Sequence, residues 1–220
     1  THKGKGSCLA EKDAIKYYSM GGKTPSKNGS TAPDYSHVFG TSITQLAEKD
    51  EKIFCITAAM EIGTGMSPFI QKYPERYIDV GIAEEHAVTY SAGLAAEELK
   101  PIVPIYSTFM QRAYDHIFHD ALLQNLPVVY CMDRAGVVGP DGPTHHGVFD
   151  IAFMCTLPGM IVTAPKDGNE LKNLLATGLH SEKNFSIRYP KASSIAFDEA
   201  INADILEIGS WEKLTEGENT

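Results

Sequence analysis

Residues 77 to 88 read YIDVGIAEEHAV and place three ionisable side chains, the first of them Glu84, directly after a short apolar strand. The segment that follows, AVTYSAGLAA, is rich in small residues. It predicts a helix over 83–99 that another helix can approach closely. In an open α/β sheet, binding sites collect where a strand turns into the next helix. An acid at this point also complements the positive helix N-terminus, so position alone leaves a functional and a purely structural interpretation of Glu84 open.

Apolar runs of strand length alternate with helical patterns on both sides of this segment. The predicted strands cover 52–60, 77–81, 100–107, 126–133, 159–165 and 185–190, and the predicted helices cover 36–50, 83–99, 108–124 and 167–180. Asp167 is placed to cap the last of these helices. Because strands that alternate with helices form βαβ units, the sequence predicts an α/β fold with a mostly parallel six-stranded sheet flanked by helices.

Composition narrows the class of protein. The chain has 220 residues, of which 43% are hydrophobic, and a formal net charge of −9. The acidic balance argues against binding to nucleic acid or to an anionic membrane surface. No apolar run approaches the roughly 18 residues of a membrane span. The four cysteines stand far apart without a CxxC pair, which favours a reducing, cytoplasmic compartment.

The two ends of the chain differ in composition from its centre. The first 35 residues include MGGKTPSKNGSTAPD, a stretch rich in Gly, Ser and Lys that is typical of a flexible linker. The last residues are polar and acidic. We therefore expect a folded domain over 36–197, a tail and linker over 1–35, and a C-terminal linker over 198–220.

Two stretches carry side chains suited to chemistry. The first reads IYSTFMQRAYDHIFHD, in which Tyr106 and Phe109 follow a strand and Arg112 lies one turn into the next helix. An aromatic ring there can stack on a planar ligand and an arginine can bind an anion, although core packing and a surface charge explain the same residues. Asp115 and His119 are spaced i, i+4, but no third ligand accompanies them, so we predict no metal site.

The second stretch is the loop MDRAGVVGPDGPTHHGVFD, residues 132 to 150. Loops of this length in compact domains are usually functional or disordered. Arg134 follows a strand, and Asp141 and His145 offer an acid, a base or hydrogen-bond partners to a polar substrate. An irregular surface loop with solvated charges is the structural alternative.

These segments resemble a known family. IAEEHAVTYSAGLA, both stretches above and SIRYPK are similar to the central, pyrimidine-binding domain of the 1-deoxy-D-xylulose-5-phosphate synthases, which are thiamine-diphosphate enzymes of the transketolase superfamily. The resemblance covers roughly residues 1 to 200, and residues 1–35 are similar to the end of that family's preceding domain and its linker. It implies a transketolase-like pyrimidine domain, in agreement with the α/β pattern.

The resemblance implies cofactor contacts. Glu84 matches the catalytic glutamate that hydrogen-bonds the aminopyrimidine ring of thiamine diphosphate, and Phe109 matches the aromatic residue that stacks on that ring. Ile82 and Arg112 fall at further cofactor-binding positions. The small-residue helix after Glu84 is then expected to form an interdomain or subunit contact.

Six residues match positions that contact the substrates: Tyr106, Arg112, Arg134, Asp141, His145 and Lys191. His145 takes a catalytic role in this comparison, and Arg134 binds the acceptor phosphate. The family's second phosphate-binding cation is usually the arginine of a YPRG motif, which here reads YPKA, so Lys191 takes its place. Lysine keeps the charge but loses the bidentate geometry of arginine.

The implied reaction is that of a transketolase-type transferase. It condenses pyruvate with D-glyceraldehyde 3-phosphate, releases CO2 and yields 1-deoxy-D-xylulose 5-phosphate, the first step of non-mevalonate isoprenoid synthesis and a source of thiamine precursors. The family's GDG motif, which binds Mg²⁺ and the diphosphate, does not occur in the sequence. We therefore expect another domain to supply it, a homodimer in the full enzyme, and no activity from this chain alone.

Two alternatives stay open from the sequence. One is a separate β-type subunit of another thiamine-diphosphate enzyme, such as transketolase or a 2-oxo acid dehydrogenase. The other is a non-catalytic assembly domain, which has no need of the charged and aromatic residues named above.

Overall fold

The computed structural model describes residues 4–14, 17, 32–210, 213, 215 and 217. The chain divides into two compact units, Thr1–Thr31 and Ala32–Thr220. In the first unit, α1 (Cys8–Lys12) begins after Ser7, whose hydroxyl accepts a hydrogen bond from the backbone N–H of Ala10. Most of the predicted linker at 20–34 lies outside the described residues.

One six-stranded sheet organises the described part of the second unit, and all of its strands are parallel. The strands are β1 (Ile53–Thr57), β2 (Tyr77–Asp79), β3 (Lys100–Tyr106), β4 (Val129–Asp133), β5 (Ile161–Thr163) and β6 (Phe185–Arg188). Their order across the sheet is β2-β1-β3-β4-β6-β5. The predicted α/β fold with a parallel six-stranded sheet is confirmed.

Helices connect the strands and cover both faces of the sheet. They are α2 (Tyr35–Lys49), α3 (Ser67–Lys72), α4 (Glu84–Ala96), α5 (Ser107–Met110), α6 (Tyr114–His116), α7 (Asp150–Cys155) and α8 (Gly168–Ser181). The predicted cap of α8 is confirmed, because the Asp167 carboxylate accepts a hydrogen bond from the backbone N–H of Glu170.

Two apolar cores lie on opposite faces of the sheet. Neighbouring residues of a strand alternate between them: Cys55 joins the core under α2 and α8, whereas Ile56 joins the core under α4 and α7. Ile102 and Val103 divide in the same way. Since both faces are covered, the strands read as continuous apolar runs, which is why they could be located from the sequence.

The predicted helix over 108–124 is confirmed as a continuous helical segment, but it is not one regular α-helix. The segment begins at Ser107 and passes from α5 through a 3-10 turn (Gln111–Ala113) and α6 into a π-helical stretch (Ile117–Leu122). Changes of helix type of this kind occur at functional positions. The 3-10 turn carries Arg112, so the irregularity sets the direction of that side chain.

The small-residue face of α4 packs largely inside its own unit. Ala87, Ser91, Ala92 and Ala95 are buried against β3 and the π-helical stretch. Gly93 is exposed, and a Cβ there would meet nothing within 4 Å. The expected interdomain or subunit contact is therefore not needed to explain most of these residues.

The segment after β6 runs along α8. The buried Lys172 ammonium donates hydrogen bonds to the carbonyls of Glu199 and Ile201, and Thr177 accepts one from the backbone N–H of Leu206. The domain limits of 36–197 stay a prediction. No helix in the described ranges is both long enough and apolar enough to cross a membrane.

Candidate functional site

The candidate site lies at the carboxyl edge of the parallel sheet. Tyr106 ends β3 and Asp133 ends β4, and the two residues are partners in the strand register. Glu84 begins α4 just after β2. Since the carboxyl ends of parallel strands meet at one edge, residues distant in sequence come together there.

Glu84 is a buried carboxylate paired with an accessible arginine. Its side chain is 1% exposed, whereas that of Arg112 is 51% exposed. Arg112 Nη1 donates to Glu84 Oε1 at 3.2 Å and lies 3.4 Å from Oε2. The first turn of the 13-residue helix α4 adds its positive N-terminal end. A buried charge needs such compensation, and here part of it comes from a side chain that is open to solvent.

Three rings form a half-buried aromatic cluster next to this pair. Tyr106 and Phe109 stack with their centroids 5.9 Å apart. The His145 ring meets Phe109 edge-on at 5.3 Å, and the Arg112 guanidinium lies 5.3 Å from the Phe109 centroid. An open pocket of about 520 Å³ lies beside them, lined by Thr108, Phe109, Gln111, Arg112 and Thr144. A flat ring can stack against such a surface.

Arg134 lies at the centre of a second, charged cluster. Its side chain is 11% exposed, and its guanidinium stacks over Tyr106 with 3.8 Å between the guanidinium carbon and the ring centroid. Nη1 donates to the Gly63 carbonyl at 2.8 Å and lies 3.4 Å from Asp133 Oδ1. A Cβ on Gly63 would lie 1.7 Å from the Tyr106 hydroxyl oxygen, so a larger residue there would displace the Tyr106 ring.

Asp141 bridges the two cations of the charged cluster. Its Oδ1 accepts a hydrogen bond from Lys191 Nζ, and its Oδ2 lies 3.4 Å from Arg134 Nε. Burial raises the pKa of Asp141, but the hydrogen bond and charge of Lys191 and the charge of Arg134 outweigh it and lower the pKa overall. The carboxylate therefore stays ionised at neutral pH.

Asp133 is the most deeply buried acid of the cluster, at 0% exposure. Loss of solvent raises its pKa to about 6, although Arg134 and a hydrogen bond from Ser36 act in the opposite direction. The Tyr106 pKa is also raised by burial, against the lowering effect of Arg134. The cluster as a whole places two cations against two carboxylates.

Backbone hydrogen bonds within the loop after β4 fix the positions of its polar residues. Gly136 and Gly147 exchange N–H to carbonyl bonds at 2.7 and 2.8 Å, which closes the loop below His145. Short 3-10 turns at Gly139–Asp141 and Pro143–His145 set the direction of Asp141 and His145.

The structure thus brings nearly all of the sequence-predicted residues into one connected group. Ile82 stands two residues before Glu84 and is 79% exposed, so it is near the group in sequence rather than packed in it. The sequence missed Ser36 and Gly63, which gave no signal of their own. For Asp133 the sequence offered one indication of a role in the site, namely its position at the end of a predicted strand.

The metal alternative gains no support. His119 Nδ1 lies 2.9 Å from Asp115 Oδ1. In the part of the chain that the structure describes, no group of three or more His, Cys, Asp or Glu side chains could hold a metal ion.

Other cavities of similar size lie away from this site. One of about 520 Å³ lies between α2, α8 and the segment after β6, and one of about 500 Å³ adjoins Lys52, Pro101 and Pro127 near the amino ends of the strands. Neither contains a residue of the aromatic or charged cluster, so the chemistry of the side chains, not cavity size, identifies the site.

The fold and the site define a class of protein. Residues 31–194 match the family "Transketolase, pyrimidine binding domain", and the chain belongs to this family. More specific relatives are the 1-deoxy-D-xylulose-5-phosphate synthases of Aquifex aeolicus, 49% identical over 226 residues, and Thermomicrobium roseum, 50% identical over 218 residues. The matches cover 100% and 99% of this chain but 35% and 34% of those proteins, so the chain spans about a third of their length.

Solved structures agree on the fold. A split-gene transketolase, described as an inactive β4 tetramer, aligns with a TM-score of 0.67 and 25% identity over 78% of this chain and 56% of its own. Transketolase from Campylobacter jejuni aligns with a TM-score of 0.69 and 17% identity over 76% of this chain and 27% of its own. The second likeness shows the fold alone.

Proposed function

We propose that this chain is the pyrimidine-binding part of a 1-deoxy-D-xylulose-5-phosphate synthase. The whole enzyme condenses pyruvate with D-glyceraldehyde 3-phosphate and releases CO2. Identity of 49–50% to such synthases along the whole chain supports this activity, against 25% or less to the transketolase structures described above. That difference favours the synthase over a subunit of another thiamine-diphosphate enzyme.

The observation that carries the proposal is the buried carboxylate of Glu84 beside the aromatic cluster. The aminopyrimidine ring of thiamine diphosphate is flat and basic, and it needs a carboxyl group at one edge and an apolar or aromatic surface on its face. Glu84 supplies the first and Phe109 the second, and the exposed Ile82 stands two residues before Glu84. The residues present therefore fit the pyrimidine half of the cofactor.

The bound cofactor supplies a nucleophilic carbon that accepts an acyl unit from a 2-oxo acid. In this proposal Glu84 holds a proton at the edge of the pyrimidine ring, and its burial keeps water from competing for that proton. Arg112 balances the charge of Glu84 and remains accessible to a bound molecule. Phe109 and Tyr106 exclude water from one side of the pocket.

The charged cluster is proposed as the acceptor side of the site. Arg134 and Lys191 bind the phosphate of D-glyceraldehyde 3-phosphate through charge-assisted hydrogen bonds. The Asp141 carboxylate already contacts both Lys191 and Arg134. The phosphate therefore competes with this carboxylate or displaces it. His145, which contacts the Tyr106 and Phe109 rings, is proposed to exchange protons with the reacting groups.

Further parts of the proposal concern the rest of the enzyme. We assign the pyrimidine-binding domain to 36–197, with linkers at 1–35 and 198–220. A second domain binds the diphosphate through Mg²⁺, and the full enzyme is a homodimer in the cytoplasm. All four cysteines are free, in keeping with a reducing compartment.

The test combines this chain with the diphosphate-binding domain of the Aquifex aeolicus relative. We expect 1-deoxy-D-xylulose 5-phosphate from pyruvate and D-glyceraldehyde 3-phosphate when both parts are present, and no product from either part alone. Ketol transfer from xylulose 5-phosphate to ribose 5-phosphate serves as the control reaction. Activity in the control reaction alone would assign the chain to transketolase instead.

A further inference from the structure

We infer that Ser36 and Asp133 are positioning residues for Arg134 and that they set its affinity for the phosphate of the acceptor substrate. The inference rests on the proposed function, because it takes Arg134 as a phosphate ligand. The two residues lie behind the charged cluster, in α2 and at the end of β4.

Arg134 is held in a backbone conformation that an L-residue avoids. Its φ is 61°, in the left-handed region that is unfavourable for a non-glycine residue. Such a conformation persists only where the surroundings enforce it. Here the Arg134 backbone N–H donates to Asp133 Oδ1 at 2.6 Å, and the same oxygen lies 3.4 Å from Arg134 Nη1. One carboxylate oxygen thus contacts both the backbone and the guanidinium of the arginine.

Ser36 holds the other oxygen of that carboxylate. Its hydroxyl donates to Asp133 Oδ2 at 2.6 Å across 97 residues of sequence. A buried carboxylate must be hydrogen-bonded, and this bond also fixes the rotation of the carboxyl group. Without it, the contacts with Arg134 are left to orient the carboxyl group.

The first turn of α2 also packs against the turn whose Gly63 carbonyl binds the Arg134 guanidinium. A Cβ on Gly65 would lie 2.0 Å from the Ser36 carbonyl oxygen, so the turn that contains Gly63 packs directly on Ser36. The Gly63 carbonyl accepts a hydrogen bond from Arg134 Nη1 at 2.8 Å. Ser36 is therefore adjacent to both groups that orient the guanidinium.

A purely structural role for Ser36 predicts a different result from a positioning role. If the hydroxyl only satisfies a buried carboxylate, its loss lowers the melting temperature and weakens every reaction of the enzyme alike. If the hydroxyl positions Arg134, its loss weakens the binding of acceptors that carry a phosphate. The binding of acceptors without a phosphate then stays unchanged.

The experiment uses Ser36→Ala in this chain combined with the diphosphate-binding domain of the Aquifex aeolicus relative, as in the functional test. We expect the KM for D-glyceraldehyde 3-phosphate to rise about tenfold, the effect of roughly one charge-assisted hydrogen bond, with kcat changed less than about twofold. The KM for D-glyceraldehyde should not change. Ser36→Thr should restore binding, because it keeps the hydroxyl. Ser42→Ala is the matched control, since this buried serine of α2 has no hydrogen-bond partner among the residues that the structure describes.

Arg134→Met separates the inference from the proposed function. Failure of Arg134→Met to raise the KM for D-glyceraldehyde 3-phosphate would remove the phosphate-binding role of Arg134, and with it the inference. If Arg134→Met raises that KM but Ser36→Ala does not, or if Ser36→Ala weakens both acceptors equally, only the inference is overturned. When Arg134 is already methionine, Ser36→Ala should raise the KM for D-glyceraldehyde 3-phosphate no further, because the effects of coupled residues are not additive. The affinity for inorganic phosphate, measured by calorimetry, should fall in the same variants in which the KM for D-glyceraldehyde 3-phosphate rises.

Discussion

Arg112 places one guanidinium nitrogen 3.2 and 3.4 Å from the two carboxylate oxygens of Glu84. The acid is buried and the arginine is half exposed, so the compensating charge borders the open pocket beside the aromatic cluster. This pair links the α4 N-terminus to the segment after β3, and it fixes the carboxylate before any ligand binds. Preorganised groups of this kind need no rearrangement during a reaction.

The first prediction concerns Glu84. Glu84→Gln keeps the size of the side chain but removes the carboxylate, so turnover of the completed enzyme should fall by at least about 100-fold. Steady-state rates of product formation measure this, and thermal unfolding checks that the fold is intact. Glu85→Gln, one residue along the same helix, is the control and should retain activity. Full activity in Glu84→Gln would remove the proposed role.

The second prediction concerns the lysine that replaces the usual arginine. Lys191→Arg restores a planar fork that can bind a phosphate through two hydrogen bonds. We expect the KM for D-glyceraldehyde 3-phosphate to fall about threefold, while that for D-glyceraldehyde stays the same. Lys183→Arg, at an exposed position before β6, controls for the added guanidinium. An equal change for both aldehydes would place Lys191 outside the phosphate site.

The third prediction follows from the buried acid at the end of β4. Burial raises the pKa of Asp133 to about 6, whereas an unfolded chain has a value of about 3.9. Between these values the folded chain binds the proton more tightly, so this group contributes more stability as the pH falls. The unfolding free energy of the native chain minus that of Asp133→Asn should rise by about 1 kcal/mol between pH 7 and pH 5.

Urea denaturation at a series of pH values measures this difference. A change of the opposite sign would mean that the native pKa of Asp133 lies below its unfolded value. At neutral pH, Asp133→Asn removes a buried charge but also the acceptor of the hydrogen bonds from Ser36 and Arg134, so the test rests on the change with pH and not on the absolute unfolding free energy. If the positioning inference holds, the same variant should nevertheless bind the phosphate-bearing acceptor less tightly.

The fourth prediction tests a helix cap. The Asp167 side chain accepts the backbone N–H of Glu170 at the start of α8. Asp167→Ala should lower the unfolding free energy by about 1 kcal/mol. Chemical denaturation measures it, with Lys183→Ala as the control at an exposed site just beyond the same helix. Equal stability of the two variants would show that the cap contributes nothing.

Local patterns in the sequence were sufficient for the sheet and most helices. Strands with both faces covered are apolar throughout, so 126–133 and 185–190 could be recognised without knowledge of their neighbours. The helical segment over 108–124 was predicted but its changes of helix type were not, because a helical period does not reveal where tertiary contacts tighten or widen the turns around Arg112. The short helices α3 and α7 were not predicted at all.

The candidate site likewise contains some residues that the sequence revealed and others that it did not. Tyr106, Phe109, Arg134 and Asp141 could be named from quoted motifs that resemble a family. Ser36 could not, because its partner Asp133 is 97 residues away and a serine in the first turn of a helix is commonplace. Gly63 is separated from Arg134 by 71 residues. Contacts of this range depend on how the chain folds back, which a local pattern does not encode.

The edges of the sheet have a consequence for the chain in isolation. Both outermost strands, β2 and β5, are only three residues long. A long, flat edge strand offers a row of free N–H and C=O groups to which another chain can add, and this is a common route to aggregation. Edges as short as these give an incoming strand little to pair with, so the separated chain should resist edge-to-edge association.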